Sequence, residues 1–429
     1  MNTQSPWSLF QKFGFRFIFL FWSLYIFPFP INVIPGIDSL LQPYYDLWSF
    51  LIRVLGNEVL HIEHDFSQKF TGSGDMLYDW IQNLGMFILA LGAALIWSLL
   101  DRKRPSYRQV FSLFVMILAY YLAYMMLVYG IIKLFYLQFR PPNMERLFQT
   151  FGQASPMRLL WTFMGFSKSY TVFAGASETV AGLLLLFRRT RVLGGWVAFG
   201  VMLNVFVLNM SYDVPVKLFS FQLMLMGLFI GMTDFQRLKQ FFITNTPVGP
   251  ATYPPYVKGK IGQRIILGVQ VLVVGFILYT QVSRSIDSRK QYGENRSKPP
   301  LYGAYEVAQF VRNQDTLAPL LTDTFRWRYL LIDYPNFITV LKVDERMERF
   351  TSEIDTVAKT IQLNRRQDTL NKYILNYSQQ NQHLVLKGQL EADTLDISLN
   401  LIPVDSFALL NRGFRWVNEV PYNRYNYPK

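Results

Sequence analysis

Residues 170–191 read YTVFAGASETVAGLLLLFRRTR, an apolar run of membrane length with one carboxylate, Glu178, near its middle. A charged side chain at mid-bilayer costs ~2.5–3.5 kcal/mol on insertion scales, so such groups usually face a bundle interior. Ala174, Gly175, Ala176, Ser177, Thr179, Ala181 and Gly182 flank it. Such small residues let neighbouring helices approach closely. Arg188, Arg189 and Arg191 then close the helix. The run reads as the inner wall of a membrane bundle, with Glu178 pointing inward.

Working outward, the same pattern recurs. The chain has 429 residues, 51% of them hydrophobic and 17% charged. Soluble proteins carry about 25% charge. Apolar runs near 15–34, 75–100, 108–137, 169–187, 192–210, 216–233 and 265–282 each approach the ~20 residues that cross a bilayer. No cleavage pattern follows the first run, so it too is read as a span. Residues 38–64 alternate apolar and polar at helical spacing, interrupted by Asp38, Asp46 and Glu58, and suit a helix lying on the interface. A second interfacial helix is expected around 157–166. The fold class is therefore an α-helical polytopic membrane protein of about seven spans, extended by a C-terminal β domain.

The net charge of +13 follows the loops rather than marking a nucleic-acid surface. Basic residues such as Lys12, Arg102–Lys103–Arg104, Arg188, Arg189, Lys239 and Lys258 fall on one side of the seven spans. They outnumber those on the other side, such as Arg53, Lys69 and Arg140, by two to one. The positive-inside rule then predicts a cytoplasmic N-terminus and an extracytoplasmic C-terminus.

No cysteine is present, which removes disulfides and cysteine-ligated iron–sulfur or zinc sites. The three histidines are His61, His64 and His383. His61 and His64 share a helix face, but a third ligand is not identifiable and no metal site is expected. A redox role would draw on an organic cofactor or on a partner subunit.

Residues 301–429 change character. Eight short, partly alternating runs (LYGAYEVAQFV, RWRYLLID, FITVLKV, ERFTSEI, KTIQL, KYILNYS, HLVLKGQL, TLDISLNLI) are separated by turn residues such as Asn313-Gln314-Asp315. They predict an antiparallel barrel or sandwich of roughly eight strands. Asp323, Asp355, Asp368 and Asp393 each precede Thr and suit turn starts. Gly303-x-Tyr305 and Arg415-Trp416 resemble pieces of a lipocalin-like barrel, in which a basic residue closes over a first-strand aromatic. The domain limits read as 1–104, 105–243, 244–283, a linker 284–300, and 301–429.

Besides Glu178, several polar groups fall where hydrocarbon is expected. Lys133 lies late in the third span, Asn204 and Asn209 in the fifth, and Gln222 in the sixth. Asp213 and Lys217, four apart, stand at the mouth of the sixth span. Together with Tyr129 they outline a polar pocket that opens outward, with Glu178 at its floor. The Tyr120, Tyr121, Tyr124, Met125, Met126 and Tyr129 set could line a slot or simply pack helices.

Gly130-x-x-Lys133-Leu134, Gly175-x-x-Glu178-x-x-x-Gly182, the Arg188-Arg189-Thr190-Arg191 turn, Asn204 and Asp213-Val214-Pro215-Val216-Lys217 resemble the DoxX/DoxD family over residues 107–243. The resemblance implies a four-helix domain in a bacterial cytoplasmic membrane, within a component of a redox or cell-envelope complex. It leaves open whether the chain is itself an enzyme. It also implies an alternative, a quinone-linked oxidoreductase subunit in which Lys133 and Glu178 meet a quinone headgroup and Glu178 carries the proton. A periplasmic or membrane protein would then be the partner of the β domain.

Overall fold

The computed structural model describes residues 6–34, 36–66, 74–251, 259–293, 296–365 and 371–417. Lys69, Lys258 and Asp368 lie outside the described residues. The chain divides into two compact units. One comprises Met1–Phe139 and Ser155–Gly293, the other Arg140–Ala154 and Glu294–Lys429.

The first unit is helical. Among the described residues, seven helices are long and apolar enough to cross a membrane. They centre on α1 (Leu9–Ile26), α3 (Leu77–Leu100), α4 (Arg108–Leu134), α7 (Lys168–Leu186), α8 (Arg191–Ser211), α9 (Lys217–Gly231) and α11 (Lys260–Tyr292). The two expected interfacial helices are α2 (Asp38–Arg53) and α6 (Pro156–Phe166). A five-residue α5 (Met144–Phe148) belongs to the other unit, and a short amphipathic α10 (Phe235–Phe242) follows α9.

Local chemistry sets the limits of these helices. Ser8 and Gln11 form a reciprocal cap at the start of α1. The helix therefore begins earlier than the run 15–34 implied. It stops at Phe27, because Pro28 and Pro30 cannot donate to the ladder. Residues 284–292, read as part of a polar linker, instead continue α11 up to Gly293. No residue between Gln281 and Tyr292 breaks a helix, so the polar composition alone did not end it.

The core of this unit surrounds α4. Leu118, Ala119, Leu122, Ala123 and Leu127 are fully buried there, packed with Ala181, Leu185, Ala198, Met226 and Ile230. Glycines allow the two closest helix pairs. A Cβ at Gly175 would meet the Gly130 carbonyl oxygen at 2.7 Å, and one at Gly195 would meet the Gly231 nitrogen at 2.6 Å.

The second unit is an antiparallel β-barrel. Its strands are β1 (Gly303–Arg312), a two-residue β2 (Asp315–Thr316), β3 (Trp327–Tyr334), β4 (Phe337–Lys342), β5 (Met347–Asp355), β6 (Thr360–Arg365), β7 (Tyr373–Gln380), β8 (His383–Leu390) and β9 (Asp393–Ile402). Successive strands pair from β3 to β9. β1 then bridges β3 (Ala304↔Leu331) and β9 (Tyr305↔Leu401), closing eight strands into a ring. This resolves the choice between barrel and sandwich. Closure removes the free edges that an eight-strand open sheet would expose.

The barrel interior is filled. Tyr305, Phe310, Trp327, Ile332, Val340, Phe350, Leu375 and Leu384 are each at most 1% exposed, within one apolar cluster. Arg415 and Trp416 are exposed, Trp416 at 91%, so the lipocalin-like closure over Tyr305 does not form. Asp323 and Asp355 start turns as expected, accepting from Phe325 and Arg326, and from Val357 and Ala358. Asp393 instead pairs with Arg312 at 2.7 Å, and that guanidinium holds its carboxyl below the ordinary range.

Residues 140–154, expected to be part of the membrane domain 105–243, pack on the outside of this barrel. Ala304 and Leu331 point outward from β1 and β3 and are buried under Met144 of α5. Glu145 receives two hydrogen bonds of 2.8 Å from Arg349, and the Met144 amide donates to Asp333. Segments following the third and the seventh span thus share one folded unit. They must lie on one side of a membrane, and the four crossings between them permit it.

Candidate functional site

The site starts at the crossing of α4 and α7. Gly130 and Gly175 have no side chain to separate the two backbones: a Cβ on Gly130 would lie 2.8 Å from the Thr179 nitrogen. Each helix carries an ionisable residue three positions after its glycine, and the crossing brings the two together. Lys133 Nζ lies 2.8 Å and 2.6 Å from the two oxygens of Glu178, with both side chains nearly fully buried. The ammonium also stands over the rings of Tyr129 (5.7 Å) and Phe139 (5.9 Å). At the far end of α7, Arg191 and Thr190 donate to the last carbonyls, those of Leu185 and Leu184. This satisfies groups that a helix end leaves orphaned.

Gly175→Val is expected to cost about 1–3 kcal/mol, as overpacking does in a close-packed interior. The added side chain would meet the backbone oxygen of Gly130 and the backbone nitrogen of Leu134, which cannot rotate away. Thermal unfolding of the detergent-purified chain measures this; an unchanged midpoint would show that the close crossing does not form.

Lys133 and Glu178 form part of the wall of a cavity of about 1280 Å³. Its other walls come from α1, α2, α3, α6, α8 and α9. Ligand pockets usually span about 300–1,000 Å³ and are mainly apolar with a few placed polar groups. Here Tyr25, Trp48, Met86, Met125, Met126 and Trp161 supply much of the apolar surface.

The predicted residues separate into two groups. Glu178, Lys133, Tyr129, Asn204 and Asn209 line the cavity. Asn209 also ties α8 to α9, donating to Ser220 Oγ at 3.0 Å. Gln222, Asp213 and Lys217 are not among the lining residues. Gln222 accepts from the indole of Trp22 at 3.0 Å and so joins α9 to α1. Lys217 pairs with Asp213 at 2.8 Å at the start of α9. Met125, Met126 and Tyr129 face the cavity, whereas Tyr121 and Tyr124 pack on Phe29.

Four contributors were missed from the sequence. Asp75 accepts from the Lys217 and Leu218 amides and so caps α9 from a distant segment. Asn83 and Gln138 line the cavity, and the amide oxygen of each is buried without a partner. The Gln82-Asn83 pair inside an otherwise apolar run was the available signal for the first. Arg16 is buried near the start of the first span and bonds Tyr107, Ser98 and the Asp101 carbonyl, tying together α1, α3 and the segment leading into α4. The His64 ring packs edge-on against Phe66, and among the described residues no group of three His, Cys, Asp or Glu could hold a metal.

No protein-family profile and no solved structure matches this chain. It is 31% identical over 124 residues to the uncharacterised protein YwoB of Bacillus subtilis (strain 168), an alignment covering 28% of this chain and 77% of that protein. The chain therefore belongs to the same family as that Bacillus protein.

Proposed function

We propose that the helical unit is a DoxX-like ligand-binding bundle in a bacterial cytoplasmic membrane, serving a redox or cell-envelope complex, and that its ligand is an isoprenoid quinone. The observation that carries this reading is the Lys133–Glu178 pair on the wall of a largely apolar cavity. A buried ion pair is weak evidence of stability, since apolar replacements of equal volume often serve as well. Ionisable groups within membrane segments mark binding or proton pathways by default. The Gly130-x-x-Lys133 and Gly175-x-x-Glu178 motifs supply the likeness to DoxX. A quinone would bring two-electron redox chemistry. Lys133 and Glu178 would orient its headgroup and exchange protons with it.

The orientation proposed from the loop charges puts the N-terminus in the cytoplasm and the barrel in the periplasm. Since the barrel interior is filled, a protein partner would meet its outer surface.

Solvent extraction of the detergent-purified protein, followed by mass spectrometry, tests the ligand. A near-stoichiometric quinone is expected, reduced about tenfold or more in Glu178→Gln, in line with the loss of a hydrogen bond to a charged group. The Lys133→Gln/Glu178→Gln double variant, which leaves no unpaired charge, controls for folding. Quinone at background level in the wild-type protein would overturn the assignment.

A further inference from the structure

Resting on the reading of this cavity as a quinone site, we infer that it opens sideways into the bilayer between α7 and α8, and that the tail of its ligand leaves through this window. The headgroup then stays at Lys133 and Glu178 while the tail remains in lipid.

The window has a floor and a roof. At the floor the backbones of α7 and α8 touch: a Cβ on Gly194 would lie 2.7 Å from the Leu185 nitrogen. At the roof, Ala174 of α7 and Leu208 of α8 pack against one apolar cluster that includes Leu160 and Met164 of α6. From floor to roof each helix runs roughly 16–21 Å, at about 1.5 Å per residue.

Between these contacts, residues of both helices turn to the cavity. Ser177 and Glu178 do so on α7, and Gly200, Val201 and Asn204 on α8. A Cβ on Gly200 would meet no atom within 4 Å. Asn204 is exposed although it lines the cavity, and so is Phe173 on the opposite rim. A residue that both lines a cavity and is exposed stands at its opening. Both helices are long and apolar enough to cross a membrane, and these positions fall in their interiors rather than at their ends. The opening therefore faces hydrocarbon.

The rim and the far end of the cavity agree with this direction. The Asn204 amide has no hydrogen-bond partner among the described residues, which is costly at membrane depth. A quinone carbonyl seated just inside the window accepts from it. The cavity's other end is lined by Gln42 and Asp46 of α2 and by Gly74 and Asp75 before α3. A tail leaving there would lie against carboxylates. Through the window it stays among lipid chains as apolar as itself, and each methylene keeps the gain of leaving water.

The test uses full-length protein in detergent and two probes: duroquinone, a ring without a tail, and trimethyl-decyl-benzoquinone, which carries one. Quenching of tryptophan fluorescence reports binding, since Trp48 and Trp161 line the cavity. Gly200→Phe fills the window, and the open space at this position lets the variant fold. Leu203→Phe adds the same ring on α8 at an exposed position that does not line the cavity. Comparing each variant with wild type at one detergent concentration cancels partitioning of the probes. Gly200→Phe is expected to weaken the decyl probe about tenfold, as the loss of a few buried methylenes would. It should leave duroquinone unchanged, and Leu203→Phe should change neither. An unchanged decyl affinity in Gly200→Phe, or an equal loss for both probes, would overturn the inference.

A second readout needs no ligand. The chain has no cysteine, so Asn204→Cys offers a nitroxide label its single attachment point. In lipid nanodiscs the label should collide with dissolved oxygen more than with an aqueous nickel chelate. The reverse order would show a window open to water and would sink the proposal. If wild-type protein binds neither probe while the label reports lipid, the quinone assignment fails and the lateral window stands.

Discussion

Lys133→Met is expected to destabilise the helical unit by about 3–5 kcal/mol, the usual consequence of leaving a buried charge without its partner. The geometry makes this site severe. Glu178 is 3% exposed, and the two hydrogen bonds from Lys133 are the side-chain partners that hold its carboxylate. The crossing at Gly130 and Gly175 leaves little room for the helices to shift and admit water. Lys133→Met/Glu178→Leu should recover most of the loss, because an apolar pair of similar volume can replace a buried ion pair at little net cost. The double variant would nevertheless lose the proposed ligand. Thermal midpoints in detergent for the single and double variants measure the coupling. A single variant as stable as wild type would mean that the pair does not form.

Trp327→Ala is expected to cost the barrel unit about 3–5 kcal/mol, the range for removing a large buried aromatic side chain. Trp327 is 1% exposed at the start of β3, and its ring lies 6.1 Å from that of Phe310. The filled interior offers no mobile loop to collapse into the space. Trp327→Phe should lose less, since most of the ring volume stays. Phe337→Ala is the control: Phe337 is 47% exposed, and surface changes usually stay within about 0.5 kcal/mol. Pulse proteolysis of the full-length chain across a urea series reports the unfolding midpoint of this unit. Equal midpoints for Trp327→Ala and Phe337→Ala would contradict the packed interior.

Local patterns determined much of this protein from sequence alone. Seven apolar runs became seven long helices, because a run of that length buries its own backbone hydrogen bonds and needs no distant partner to be recognised. The eight alternating runs became the eight strands of the ring, because period-two alternation records which face is buried. Glu178 and Lys133 stood out by their cost in hydrocarbon, and Gly130 and Gly175 marked where the two helices could touch.

What the tertiary structure decided was which elements meet. The barrel closes because β1 reaches both β3 and β9, a pairing that no single stretch encodes. Residues 140–154 leave the membrane domain they interrupt because Met144 covers Ala304 and Leu331, more than 150 positions away. Gln222 turns toward Trp22, and Asp75 reaches the amides of α9. Asn83 and Gln138 arrive at one cavity from different parts of the chain. Periodicity is a property of a short window of chain. The partner of a buried polar group is set by non-local packing, and there the tertiary structure decided the site.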